Sequence, residues 1–214
     1  MENYKQKFIS LSLEIGALKF GEFQLKSGRI SPYFFNMGLF SSGPLIKNIG
    51  DFYAASLVSS NINYDIVFGP AYKGIPIVTA LASSLSTSYQ LDKPFVYNRK
   101  EVKNHGEGGV TVGEELRGNV VIVDDVITAG TAIREAVDII NNAGATTTGI
   151  VISLDRQERG VGDLSAAKEI SNTLNIPVIS IVNLDEVIDY IENNPSDYGQ
   201  HIDKIKKYRE EYGV

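Results

Sequence analysis

The fold of this chain is constrained most by the stretch 119–132, which reads NVVIVDDVITAGTA. Its apolar run at 120–123 predicts a short buried strand. Two adjacent acids, Asp124 and Asp125, follow the strand, and residues 132–140 then carry apolar side chains at helical spacing. A strand that leads through a polar turn into a helix is the building unit of a parallel α/β sheet, in which ligands bind at the carboxyl ends of the strands.

The turn between this strand and this helix has the composition of a phosphate site. Residues 128–131 are Thr-Ala-Gly-Thr, and Gly130 has no side chain that could block a ligand. Free backbone N–H groups and the positive end of the helix dipole converge there. The two acids cannot bind a phosphate, so we expect them to face a cation or hydroxyl groups. A phosphorylated sugar satisfies both requirements; the alternative is an ordinary turn with two solvated acids.

Length, charge and cysteine content exclude several classes of protein. A length of 214 residues suits one domain, and the formal net charge of −6 argues against a general nucleic-acid binder. The absence of cysteine excludes disulfides and thiolate metal sites, and it is compatible with the cytosol. Neither a signal peptide nor an apolar run of membrane-spanning length is visible. We therefore expect a cytoplasmic protein that binds neither membranes nor nucleic acid.

Alternating strands and helices are predicted for most of the chain. An amphipathic helix at 3–18 precedes two strand-like runs at 20–26 and 33–37, which predict a hairpin or a small sheet. The segment 99–118 is polar and rich in glycine, and such a segment is typically disordered or a lid. Strands separated by helices imply parallel pairing with right-handed crossovers. The other predicted strands are 65–69, 95–98, 147–154 and 177–182, and the other predicted helices are 42–59, 75–88, 166–174, 184–193 and 198–212.

Two segments supply cations for an anionic ligand. Residues 69–76 read GPAYKGIP, where Lys73 and nearby N–H groups can hold a second anion and Tyr72 can lie against a sugar or phosphate. The alternative is an ordinary Pro/Gly loop with an exposed lysine. Residues 99–105 read RKEVKNH, and a cationic lid of this kind suits a polyanion such as a diphosphate. The alternative there is a solvated charged loop.

Arg156 follows the predicted strand that comes after the acidic turn. A guanidinium is well suited to bidentate capture of a carboxylate or of imide oxygens, so Arg156 is a candidate for the same cleft. The alternative is a surface ion pair with Asp155 or Glu158.

Lys26 lies at a turn of the predicted hairpin, and Phe34 and Phe35 follow it. Two adjacent aromatic rings could stack on or cover a flat base. The alternative is a hairpin with one aromatic side chain in the core.

Taken together, these segments resemble the type I phosphoribosyltransferases. The run 120–132 is similar throughout to the phosphoribosyl-pyrophosphate motif of that superfamily, which does not name the base. The remaining segments resemble the orotate phosphoribosyltransferase family. The resemblance implies an α/β type I phosphoribosyltransferase fold, with a central parallel sheet flanked by helices, in a single domain 1–214 with a small N-terminal hood mainly from residues 1–40 and a core of about 41–214. The segments that carry the family resemblance are LKSGR at 25–29, SPYFFN at 31–36, GPAYKGIP at 69–76, RKEVKNHG at 99–106 and LDRQE at 154–158.

The resemblance also implies roles for individual residues. Asp124 and Asp125 are implied to bind the ribose hydroxyls and, with Lys103, to be catalytic. The lid is implied to reach into the neighbouring site of a homodimer. Mg²⁺ is implied to be held mainly through phosphoribosyl pyrophosphate and water, without an assigned protein ligand. The residues implied to bind phosphoribosyl pyrophosphate are Lys26, Tyr72, Lys73, Arg99, Lys100, Lys103, His105, Asp124, Asp125, Val126, Ile127, Thr128, Ala129, Gly130, Thr131 and Ala132. Those implied to surround orotate are Phe34, Phe35, Thr128 and Arg156.

The implied reaction is attack of orotate N1 on C1 of the ribose, which gives orotidine 5′-phosphate and diphosphate in de novo pyrimidine (UMP) biosynthesis. Positive charge develops on the sugar, where the acids can stabilise it. Negative charge develops on the leaving group, where the cations of the site can stabilise it. The attacking base is already an anion, and no strong general base is required.

Two rival functions remain open from the sequence. A phosphoribosyltransferase for a purine base would share the sugar site but differ in the hood and the base pocket. A regulatory protein could keep the phosphoribosyl site as a sensor and bind RNA or DNA. The net charge of −6 argues against the second rival.

Overall fold

The chain folds around two sheets of unequal size. The arrangement comes from a computed structural model, which describes residues 3–25, 28–103, 109–160 and 162–214, without the side chains of residues 102 and 103. The smaller sheet pairs β1 (Leu18–Gln24) with β2 (Ile30–Phe35) in antiparallel fashion. This sheet confirms the predicted hairpin, although each strand begins earlier than the sequence indicated.

The larger sheet has six strands in the order β5-β4-β3-β6-β7-β8. The strands β3, β4, β6, β7 and β8 run parallel, as the alternation of strands and helices predicts, and β5 is an antiparallel edge. The acidic stretch therefore ends a strand with neighbours on both sides. The strands are β3 (Ile66–Gly69), β4 (Phe95–Lys103), β5 (Gly109–Gly113), β6 (Asn119–Asp124), β7 (Thr146–Asp155) and β8 (Val178–Asn183).

Helices flank this sheet, and buried side chains fill the space on its two faces. Side chains of β6 alternate, so that Val121 and Val123 join one apolar cluster and Val120 and Ile122 join another. All four are buried, which explains why the strand reads as a continuous apolar run. The helices are α1 (Asn3–Glu14), α2 (Gly43–Ser59), α3 (Gly74–Tyr89), α4 (Thr131–Asn142), α5 (Ala166–Leu174), α6 (Leu184–Asn193), α7 (Pro195–Tyr198) and α8 (Ile202–Tyr212).

Three predicted elements differ from the structure. Helix α1 ends at Glu14 and not at residue 18, because Gly16 adopts a left-handed conformation with φ of +70°. The terminal helix predicted at 198–212 is interrupted by a 3-10 turn before α8. The predicted loop 99–118 is wrong in part, because β4 continues to Lys103 and β5 pairs back onto it.

Aromatic contacts attach the small sheet to the rest of the protein. The ring of Tyr33 on β2 meets the ring of Tyr208 on α8 edge-on at 6.2 Å, and Phe35 lies 6.0 Å from Phe8 on α1. Tyr33 is 1% exposed. The small sheet is thus fixed by the first and last helices. Among the residues that the structure describes, none of the helices is long and apolar enough to cross a membrane.

Candidate active site

The two acids lie at the carboxyl end of β6 on a firmly held backbone. Asp124 and Asp125 are 9% and 8% exposed. The hydroxyl of Tyr53 donates to the carbonyl oxygen of Asp124 over 2.7 Å. The backbone N–H and the hydroxyl of Ser153 on β7 both donate to the carbonyl oxygen of Asp125, over 2.9 and 2.5 Å. These contacts satisfy buried carbonyl groups where the strand ends and so fix the direction of both carboxylates.

The acids differ in their electrostatic surroundings. Nζ of Lys73 lies 2.5 Å from Oδ2 of Asp125, so the structure brings together two residues that the resemblance assigns to the pyrophosphate and to the ribose of the same ligand. Burial and the adjacent carboxylate of Asp125 raise the pKa of Asp124 to about 7, against the smaller effects of the Asp125 N–H, Lys73 and Lys100. In the free protein, Asp124 therefore keeps its proton to a much higher pH than an ordinary carboxyl group. A cation placed beside it favours the ionised form.

The turn after the acids leads into α4 as the sequence predicts. Thr128, Ala129 and Thr131 are exposed, and Gly130 is the residue before the first turn of α4 with φ of +72°. No side chain caps this helix end among the described residues. Its N–H groups and its dipole are therefore available to an anion, which is the environment that a sugar phosphate requires.

Replacing Gly130 with alanine is expected to lower the free energy of unfolding by about 2 kcal/mol, as measured by denaturant titration. The conformation is unfavourable for a side chain, and an added Cβ would lie 2.5 Å from Cδ1 of Ile170. Gly144→Ala is the matched control, because Gly144 has a similar φ of +76° but no heavy atom within 4 Å of an added Cβ. Equal losses for the two variants would show that the contact with Ile170 is unimportant.

The loop after β3 presents Lys73 to the acids. An added Cβ on Gly69 would lie 2.2 Å from the carbonyl oxygen of Gly74, so the loop closes on itself only because both residues lack side chains. The peptide bond between Ala71 and Tyr72 is cis, and the N–H of Ala71 donates to Oδ1 of the buried Asn98 over 2.8 Å. Asn98, which the sequence did not single out, ties this loop to β4. Tyr72 is 71% exposed.

The predicted cationic lid is only partly described. Arg99 and Lys100 lie on β4, where Nη1 of Arg99 donates weakly to the carbonyl oxygens of Gly109 and Thr111 over 3.4 Å each. Nζ of Lys100 lies 3.5 Å from Oε2 of Glu135. A cavity of about 510 Å³ separates Tyr72 from the β4 residues 97–101. The side chain of Lys103 and the residues Lys26 and His105 lie outside the described part of the structure.

Three of the four predicted base-binding residues lie on or beside the small sheet, whereas Thr128 lies in the turn before α4. Arg156 follows β7 and contacts Ser31 and Glu158, and β2 carries both Ser31 and the pair Phe34 and Phe35. Phe34 is 40% exposed and stacks on Phe23. Phe35 is partly buried in the main core, so one of the two rings serves the fold.

A metal ion would find few protein ligands here. No group of three or more His, Cys, Asp or Glu side chains suited to a metal occurs among the described residues. The carboxylates of Asp124 and Asp125 are hard oxygen ligands that Mg²⁺ accepts, but Asp125 is engaged by Lys73. The site therefore fits a magnesium ion that arrives with a phosphorylated ligand and keeps most of its ligands from that molecule and from water.

Comparison with known proteins is consistent with this geometry. Residues 40–185 match the phosphoribosyl transferase domain family. The chain is 53% identical over 214 residues to orotate phosphoribosyltransferases of Mannheimia succiniciproducens and Marinobacter nauticus, covering 100% of each protein. A crystal structure of orotate phosphoribosyltransferase from Francisella tularensis superposes with a TM-score of 0.88 at 44% identity, covering 97% of this chain and 100% of that one.

Proposed function

Because the chain belongs to the phosphoribosyl transferase family, and within it to the orotate phosphoribosyltransferases, we propose that its site transfers the phosphoribosyl group of phosphoribosyl pyrophosphate to orotate. The observation that carries the proposal is the cluster of Lys73, Asp125 and Asp124 beside the amino-terminus of α4. A bond forms between N1 of orotate and C1 of the ribose, and the bond from C1 to the pyrophosphate oxygen breaks. The products are orotidine 5′-phosphate and diphosphate, as pyrimidine biosynthesis requires.

The acids are placed to act on the sugar. The free backbone N–H groups at 128–131 bind the 5′-phosphate, and Asp124 and Asp125 accept hydrogen bonds from the ribose hydroxyls. As positive charge grows at C1, the nearby carboxylates stabilise it. The developing positive charge also lowers the raised pKa of Asp124, so that Asp124 loses its proton and becomes a carboxylate as the reaction proceeds.

Lys73 is placed to act on the leaving group. In the free protein its ammonium pairs with Asp125. When phosphoribosyl pyrophosphate binds, the ammonium turns to the pyrophosphate, and the carboxylate of Asp125 becomes available to the ribose. Arg99 and Lys100 on β4 add positive charge and help to exclude water from the activated sugar. The resemblance to the family assigns the same task to Lys103, Lys26 and His105, whose side chains lie outside the described part of the structure. A magnesium ion that arrives with phosphoribosyl pyrophosphate would further stabilise the leaving group, and Asp124 and Asp125 are the nearest hard oxygen ligands that the protein could offer it.

Arg156 is placed to act on the base. Its guanidinium binds the carboxylate of orotate, Phe34 covers one side of the ring, and Thr128 contacts the base from the turn. Phe35 lies toward the core and holds this part of β2 in place beside the base. A purine lacks the carboxylate that this arrangement satisfies.

We further propose that the chain acts as a cytoplasmic homodimer of single domains, each with a hood mainly from residues 1–40. Support comes from the resemblance to the family and from the position of Arg99 and Lys100 on β4, the second strand from the β5 edge of the sheet.

Purified protein with magnesium and phosphoribosyl pyrophosphate is expected to consume orotate, followed as loss of orotate absorbance. The reaction should stop when either phosphoribosyl pyrophosphate or magnesium is left out. Turnover with adenine or hypoxanthine, but not with orotate, would contradict the assignment of the base.

A further inference from the structure

Polar contacts beneath the surface join Arg156 to the small sheet. Nε and Nη2 of Arg156 donate to Oε1 of Glu158 over 2.9 and 2.7 Å. Nη2 also donates to Oγ of Ser31 over 3.1 Å. The hydroxyl of Tyr33 donates to the same Glu158 oxygen over 2.7 Å, and the guanidinium carbon lies 4.5 Å from the centre of the Tyr33 ring. The hydrogen bonds fix the direction of the guanidinium, and the ring fixes its plane.

Burial makes these contacts stronger than those of an ordinary surface ion pair. The side chains of Arg156 and Glu158 are 21% and 11% exposed, and Tyr33 is almost fully enclosed. Burial raises the pKa of Tyr33 well above its ordinary value, so its hydroxyl remains a proton donor toward Glu158. Charge-assisted hydrogen bonds in such surroundings hold their geometry better than solvated ones.

The backbone of Glu158 is fixed as well. The N–H of Arg159 donates to the carbonyl oxygen of Tyr212 over 2.8 Å, and the N–H of Val214 donates to that of Gln157 over 3.0 Å. Glu158 itself pairs with Gly213 as an isolated bridge. The residue that holds the guanidinium is therefore anchored to the end of α8, independently of any ligand.

One part of the guanidinium is left for a ligand. The edge that carries Nε and Nη2 faces Glu158, whereas Nη1 makes no hydrogen bond with the residues that the structure describes. A planar guanidinium with one edge held by the protein presents its other end in a single direction. Such a group can select a carboxylate by position and not by charge alone.

We propose that Glu158, held by Tyr33, is a positioning residue that orients Arg156 for the carboxylate of the pyrimidine substrate. The inference rests on the proposed function, because it requires Arg156 to contact that carboxylate. Loss of Glu158 leaves the positive charge of Arg156 in place but removes its orientation. The effect should therefore fall on binding of the carboxylated base and not on cleavage of the bond at C1.

Glu158→Gln tests this, because the variant keeps the shape of the side chain but replaces two charge-assisted hydrogen bonds from Arg156 with weaker ones to a neutral amide, so the guanidinium is held less firmly. The KM for orotate should rise about tenfold, while the KM for phosphoribosyl pyrophosphate and kcat at saturating orotate stay unchanged. Tyr33→Phe keeps the ring beneath Arg156 and should raise the same KM about threefold. Glu192→Gln makes the same chemical change in an exposed pair with Lys206 and should leave all three constants unchanged. An unaltered KM for orotate in Glu158→Gln would overturn the proposal.

A double-variant cycle separates positioning from a purely structural role. Arg156→Lys loses the planar fork and should itself raise the KM for orotate. In the Arg156→Lys variant, adding Glu158→Gln should raise the KM for orotate by a much smaller factor than it does in the unaltered protein, since the two residues act through one contact. Additive effects would show that Glu158 does not act through Arg156. No turnover of orotate by the unaltered protein would instead refute the proposed function, and a normal KM in Arg156→Lys would refute the role of Arg156.

Discussion

Replacing Asp125 with asparagine is expected to lower kcat by about a hundredfold to a thousandfold, the loss typical when a preorganised charge is removed from a transition-state site. Asp125 is buried at the end of β6, with its carbonyl oxygen held by Ser153 and its carboxylate 2.5 Å from Nζ of Lys73. Asparagine keeps the shape but cannot stabilise positive charge on the ribose. Steady-state kinetics at saturating orotate and phosphoribosyl pyrophosphate measure the effect. Asp51→Asn is the matched control, because it neutralises the acid of an ion pair with Lys47 on α2, and it should leave kcat unchanged.

The same variant tests the proposed dimer. Mixing inactive Asp125→Asn subunits with inactive Lys103→Ala subunits should restore part of the activity, since a lid from one subunit would then complete the acids of the other. A mixture that stays as inactive as its components would mean that each site is built within one chain.

A kcat for Asp125→Asn within a fewfold of normal would contradict the role of Asp125.

Replacing Asp124 with asparagine is expected to stabilise the free protein while it lowers activity. Burial and the carboxylate of Asp125 raise the pKa of Asp124 from 3.8 to about 7, so ionising it costs free energy in the folded state. Between pH 4 and pH 7 the unfolded chain has lost this proton and the folded protein has kept it, so the free energy of unfolding falls as the pH rises through that window. At 1.36 kcal/mol per pH unit, the penalty reaches about 4 kcal/mol above pH 7. The variant should gain up to that amount at pH 8 and about nothing at pH 4.

Denaturant titrations of the ligand-free protein at pH 4, 6 and 8 measure this difference. Asp185→Asn provides a control of opposite sign, because hydrogen bonds from Arg209 and Gln157 lower the pKa of Asp185. A lowered pKa contributes stability above the ordinary pKa of the carboxyl, so this variant should lose stability at pH 8 and change little at low pH. Parallel stability curves for Asp124→Asn and the unaltered protein would show that Asp124 is not strained by its surroundings.

The arrangement of the two acids lowers the stability of the free protein and favours the reaction. Two carboxylates held side by side in a buried position repel one another, and the N–H of Asp125, Lys73 and Lys100 relieve this repulsion only in part in the free protein. A sugar that develops positive charge supplies the missing compensation at the moment of reaction. Electrostatic cost in the free protein and stabilisation of the transition state thus have the same origin.

The sugar side of the site could be predicted from sequence because its determinants are local. A buried strand, two acids, a small turn and a helix follow one another at 119–142, and hydrophobic spacing alone identifies each element. The close approach of Lys73 to Asp125 required the strand order, since β3 and β6 are neighbours although α3, β4 and β5 separate them in the chain.

Other features depend on contacts that the sequence pattern does not carry. Strand β5 has only five residues, it begins and ends with glycine, and none of its side chains is fully buried at the edge of the sheet, so its sequence carries too weak a signal for a strand. Its end is fixed by Gly113, where φ is +111° and a Cβ would lie 2.2 Å from the carbonyl oxygen of Phe95. Of the partners of Arg156, Glu158 could be predicted because it is two residues away. Ser31 could not, because it is 125 positions away in the chain. The contact between Tyr33 and Glu158 could not be predicted, because nothing in the sequence around Tyr33 points to so distant a partner.

If this site joins a phosphoribosyl group to orotate, it should choose orotate when several bases compete in a single reaction mixture. Orotate, uracil, adenine and hypoxanthine are supplied at equal concentration with magnesium and limiting phosphoribosyl pyrophosphate, and the nucleotides formed are separated by chromatography. Orotidine 5′-phosphate should be the main product, because Arg156 requires a carboxylate that the other bases lack. A purine nucleotide or uridine 5′-phosphate as the main product would contradict it.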